Sequence, residues 1–127
     1  MSRATAKEII HSERRFQIWK YTVSHCSLLL RSTKSDGFPT RIDVFFKGVK
    51  EFHLPTIFTG LSITEASEAD VRQLCSLRKS LSIGKDAKVF KVQGSDFIGY
   101  VTALIAVSHE DEGEYHEPSF FAKENII

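Results

Sequence analysis

"RIDVFFKGV", residues Arg41–Val49, alternates with the two-residue period of a strand. Ile42, Val44 and Phe46 fall on one face, and Asp43, Phe45 and Lys47 on the other. Gly48 then offers a place to bend or bulge. Upstream, "TKSDGFP" (Thr33–Pro39) is a turn signal, because Asp-Gly tolerates positive φ and Pro39 stops a helix. Before that turn, "LLLRS" (Leu28–Ser32) has little alternation, which suits a strand buried on both faces. "SHCS" (Ser24–Ser27) is small and polar enough to turn. In front of it Phe16 and Ile18 keep one parity while Trp19, Tyr21 and Val23 keep the other, which fits a bulge or a strand covered on both faces. The stretch Ile18–Lys34 is therefore read as the hairpin that builds the core.

Downstream, "EFHLPTIFTGLSI" is apolar but broken by Pro55 and Gly60, and reads as short strands near Glu51–Leu54 and Leu61–Thr64. Ser67 with Asp70 three residues on resembles a capping box, and Val71, Leu74, Cys75, Leu77 and Leu81 follow at helical spacing up to Gly84. "KVFKVQ" and "DFIGYVTALIAVSHE" form a hairpin turned at "GSD", and "PSFF" is expected as an edge strand. The expected fold is α+β: mainly antiparallel β-sheet of about six to eight strands, with one central helix near residues 67–82 and its Val71, Leu74 and Leu81 pointing inward. Residues 1–127 make a single domain, with 1–13 as a loose N-terminal arm.

The 127 residues, 42% hydrophobic and 26% charged with a net charge of +1, are ordinary globular values that exclude a disordered chain. Near neutrality gives no overall bias toward nucleic acid or anionic membrane. The longest apolar run, Phe97–Val107, falls short of the roughly 18 residues of a membrane span. "MSRATAKEIIHSERRF" lacks the apolar block of a signal peptide, so a cytoplasmic location is expected. Cys26 and Cys75 are expected as buried free thiols, since a domain of this size needs no disulfide.

Chemistry-bearing residues are few. His25 adjoins Cys26, but strand neighbours point to opposite faces, and no nucleophile elbow or papain-type segment occurs, so no catalytic residue is assigned. "SHEDEGEYHEPS" offers His109, Asp111 and His116 as metal candidates, yet the spacing matches no known ligand motif; a solvated acidic loop between strands is the better reading. In that loop Glu110, Asp111 and Glu112 suit a basic partner. No Gly-rich phosphate loop occurs, and the predicted helix starts among acids that repel phosphate; no cofactor is expected. Arg14, Arg15 and Lys20 flank Phe16, Trp19 and Tyr21, but the aromatics split between parities and no RNP signature occurs, so nucleic acid is not the expected partner.

"RIDVFFKGVKEFHLP" and "YTVSHCSLLLRS" resemble stretches of small uncharacterised β-rich bacterial proteins, some of them similar to immunity proteins of polymorphic toxin systems. The resemblance covers a minor part of the chain and brings no catalytic residue. It implies a protein that binds and neutralises a partner.

The sequence therefore points to a non-catalytic protein-binding domain, immunity-like or self-associating, with a protein partner or a homodimer as its complex and no membrane. The alternative is a small-molecule-binding or enzymatic β-rich domain with a pocket between sheet and helix, lined by His25, Arg31, Phe46 and His53.

Overall fold

The computed structural model describes residues 8–35, 37–74 and 87–123. Its strands are β1 (Glu8–Thr22), β2 (Ser27–Ser32), β3 (Arg41–Lys47), β4 (Glu51–His53), β5 (Ile57–Glu65), β6 (Lys88–Gln93), β7 (Ile98–Ala103) and β8 (Ile105–Asp111). Two short helices, α1 (Glu68–Leu74) and α2 (Phe120–Lys123), lie between β5 and β6 and after β8. All strand pairs are antiparallel, in the order β4-β7-β6-β5-β1-β2-β3-β8.

The expected hairpin is β1–β2. A single turn of 3-10 helix, Val23–His25, reverses the chain, and Cys26 completes the turn with a left-handed φ of 50°. This turn leaves Cys26 exposed, against the expectation of a buried thiol; Cys75 lies outside the described residues. The parity switch is a bulge: the β1–β2 register shifts between Ile18 and Lys20, at Trp19. Ile18 then packs inward against the main core, while Trp19 packs outward beside Leu29, Phe45 and Phe121.

The two ends of the strand order are halves of bent strands. β3 and β4 are separated only by residues 48–50, and β7 and β8 only by Leu104. Along this double strand the pairing runs from Arg41↔Asp111 to Lys47↔Ile105, then resumes from Glu51↔Thr102 to His53↔Tyr100. The Leu104 N–H donates to the Lys47 carbonyl at 2.9 Å and the Lys50 N–H to the Thr102 carbonyl at 2.8 Å, carrying the ladder through the corner. The sheet thus folds back on itself and closes, in the ring β1, β2, β3–β4, β7–β8, β6, β5. Gly48 makes the corner. Its φ is +71°, and a Cβ there would stand 2.5 Å from Leu104 Cγ.

Inward-pointing side chains of every long strand fill the ring: Phe16, Leu28, Leu30, Val44, Phe46, Phe58, Ile63, Phe90, Val92 and Val101 are all buried there. Phe46 meets Phe90 edge-on across the interior, with centroids 5.9 Å apart. Each such side chain contributes about 1.5–3 kcal/mol by leaving water.

Two patches of the outer face are also covered. α1 lays Val71 with Ala66 over Val89 and Tyr100. Its start is the expected capping box: the Asp70 N–H donates to Ser67 Oγ at 3.2 Å, and the Ser67 N–H to Asp70 Oδ2 at 3.1 Å. The helix expected over 67–82 is described for Glu68–Leu74; its remainder, with Leu81, lies outside the described residues.

Several expectations change. Glu8–Glu13, assigned to the arm, belong to β1 and pair with β5, with Ile9 and Ile10 packed on the core; residues 1–7 lie outside the described residues. β5 begins at Ile57 rather than near Leu61. "PSFF" is a helical turn rather than an edge strand, because the Ser119 hydroxyl accepts the Phe121 N–H at 3.2 Å and caps it.

Candidate interaction surface

The second covered patch is the outer face of β2, β3 and β8. Here a β-sheet face that would otherwise meet water carries Arg31, Arg41 and Asp43, each only 1% exposed. Arg31 and Asp43 are cross-strand partners. The guanidinium donates twice to the carboxylate, Nε to Oδ1 at 2.7 Å and Nη2 to Oδ2 at 3.0 Å. Trp19 lies against the same guanidinium, 4.9 Å from its carbon.

Both arginines use their remaining donors on the backbone that follows β8. Arg31 reaches the carbonyls of Tyr115 and Glu117; Arg41 reaches those of Glu114, Glu117 and Pro118, at 2.8–3.3 Å. A loop with no ladder of its own thus has its carbonyls satisfied by side chains. Phe121 stacks on Phe45 with centroids 5.1 Å apart, and Phe120 stacks on His109 at 3.9 Å. Residues 112–121 are strapped across the barrel.

The acids of this stretch are used within the chain. Asp111 holds Arg41 with two contacts of 3.2 Å, Glu114 holds Lys34 at 2.9 Å, and Glu110 accepts from Thr40 and lies 3.4 Å from Arg14. Partial burial works to raise the Asp111 pKa, but the Gly113 N–H and the Arg41 guanidinium outweigh it and hold the carboxyl below its ordinary value. Of the three acids read as a partner-binding set, Glu112 alone is exposed without an ion pair to a described residue.

Of the metal candidates, His109 and Asp111 come within 3.7 Å of each other, while His109 also stacks on Phe120 and Asp111 serves Arg41; His116 is exposed with its ring edge-on to Tyr115. Among the described residues no group of three His, Cys, Asp or Glu side chains is placed to hold a metal. The pocket residues disperse. His25 is exposed in the β1–β2 turn, Phe46 is inside the barrel, Arg31 is buried outside it, and exposed His53 of β4 stacks with Tyr100 of β7.

What the strap leaves open is β8 itself. Among the described residues β8 pairs with β3 alone. Its outward-facing Ile105 and Val107, with Leu104 at the corner, are 44%, 36% and 41% exposed. Lys47, cross-strand partner of Ile105, is exposed and forms no ion pair with a described residue. Nothing in the sequence pattern marked this edge, because "DFIGYVTALIAVSHE" reads as one continuous arm of a hairpin.

The other open feature is a cleft of about 350 Å³ at the end of the barrel, lined by Arg14–Gln17 of β1, Arg31–Thr33 after β2, and Ser35 and Phe38 of the next turn. No known protein family, curated protein or solved structure matches this chain. The reading of function therefore rests on these two surfaces. Among the described residues no helix is long and apolar enough to cross a membrane.

Proposed function

We propose that the chain is a non-catalytic protein-binding domain that binds through the edge of β8, and that the partner this edge fits is a second copy of itself. One observation carries the reading: among the described residues, the seven of β8, apolar at one end, have a ladder on one side only. An open edge is a template for another strand. The charge pattern favours a copy in antiparallel register. Val107 of each strand then meets the centre of the other, and the acidic end, Glu110–Glu112, comes to the side of Lys47, which no described acid neutralises. A parallel copy would set acid beside acid. The resemblance of "RIDVFFKGVKEFHLP" to small uncharacterised bacterial proteins, some of them similar to immunity proteins, points to the same class of function, binding rather than catalysis.

Such an interface is small, so the dimer is expected to dissociate in roughly the micromolar range. Light scattering behind size exclusion, from about 1 to 200 μM, tests it. The expected result is a monomer–dimer transition that Val107→Lys shifts at least tenfold upward without lowering the melting temperature. A monomer throughout, or a dimer that Val107→Lys leaves untouched, overturns the edge reading.

A further inference from the structure

The cleft at the barrel end is the second surface, and its chemistry differs from that of the β8 edge. Its described lining holds three arginines, Arg14, Arg15 and Arg31, and no carboxylate. Two of the three are committed. Arg31 is paired with Asp43 and the strap. Arg14 donates to the Thr40 carbonyl at 2.8 Å and to its hydroxyl at 2.6 Å, and its guanidinium lies over the Phe38 ring at 4.4 Å. Arg15 is exposed at the rim and makes no hydrogen bond or ion pair with a described residue. Asp96 lines the neighbouring cleft that shares Arg15, yet the two form no ion pair.

The inner wall adds a second observation. Ser32 is only 4% exposed and lines the cleft, and no described residue hydrogen-bonds its hydroxyl. The Ser32 hydroxyl reaches the cleft with no partner among the described residues to give up, so it is free to donate to a bound acceptor. Thr33, Ser35 and Gln17, all with side chains able to donate, also line it. Phe16 and Phe38 add apolar surface to the lining, beside which donors are worth more than in open water.

We infer that this cleft is a binding site for a small oxyanionic group, a carboxylate or a phosphate, held by Arg15 at the rim and by the hydroxyls of Ser32, Thr33 and Ser35 within. Arg14 and Arg31 supply positive potential without being displaced from their own partners. Among the described residues, the site's only ion pair to β8 is the 3.4 Å contact of Arg14 with Glu110, and its binding does not require self-association.

The test is a two-dimensional NMR titration of the full chain with sodium phosphate and, separately, with sodium succinate, at ionic strength held constant with sodium chloride. Saturable shifts are expected at the amides of Arg14–Gln17 and Ser32–Ser35, and Arg15→Gln is expected to weaken binding about tenfold, the effect of one charge-assisted hydrogen bond. Arg15 is exposed and bonds to no described residue, so the variant is expected to keep the fold, which its unchanged spectrum elsewhere verifies. Saturation by phosphate alone assigns a phosphate-bearing ligand, and saturation by succinate alone a carboxylate. Shifts no larger than those from chloride, or equal affinity in Arg15→Gln, overturn the inference.

Discussion

Removing one half of the Arg31–Asp43 pair should damage the protein more than removing both halves. Each side chain is 1% exposed, so Asp43→Leu strands a guanidinium in a dry site with two of its donors unmet. Breaking a buried pair in this way costs about 3–5 kcal/mol. For a chain of 127 residues that lowers the melting temperature by about 12–20 °C. The double variant Arg31→Met/Asp43→Leu leaves no buried charge. It loses the bonds to the Tyr115 and Glu117 carbonyls, which can turn toward water, for a cost of about 1–3 kcal/mol. Urea denaturation followed by far-UV circular dichroism gives the three free energies. Trp19, the only tryptophan, lies against Arg31 and packs with Phe121, so its emission should shift to the red in both variants as the strap loosens. If Asp43→Leu costs under 1 kcal/mol, or the double variant costs as much as Asp43→Leu and Arg31→Met added together, the pair is not a closed, desolvated unit and the reasoning fails.

Two further outcomes follow from the geometry. Asp111 has a folded pKa held below its unfolded value, so its contribution is complete above about pH 5 and is lost as pH falls through the folded pKa; Asp111→Asn should flatten the dependence of unfolding free energy on pH between about 5 and 2, and an unchanged slope would count against the Arg41–Asp111 contact. Gly48→Ala, at φ +71° and against Leu104, should cost about 1–3 kcal/mol in the same urea assay; a neutral result would mean the corner tolerates a side chain.

The local parts of this fold were legible because they depend on neighbours in sequence. The parity change around Trp19 marked the bulge, "LLLRS" marked a strand buried on both faces, and Ser67 with Asp70 marked the cap. Closure of the ring was not legible. Periodicity says which way Val44 points but not that β8 will pair with β3. The ion pair of Arg31 was not legible for the same reason: its partner Asp43 lies across a ladder and its other partners lie 84 and 86 residues away. The acidic stretch looked solvated because Arg41, Lys34 and Arg14, which answer it, come from the other end of the chain. The N-terminal half of β1 was missed since "HSERR" has no apolar alternation; pairing with β5 holds it in place.

The double strand that closes the ring also orders events during synthesis. β1, β2 and β3 leave the ribosome first, with Leu28, Leu30, Val44 and Phe46 on a face that has nothing yet to pack against. β5 adds to the hairpin through β1, but the seam between β3 and β8 waits for residues 105–111 and its cover for Phe121. Contacts so distant in sequence form slowly, and the half-built sheet is sticky meanwhile. A nascent chain stalled after β3 and before Ile98 presents an apolar sheet face whose closing seam has not begun to pair, so this protein's vulnerability in the cell lies in the interval between its first hairpin and its closing strands.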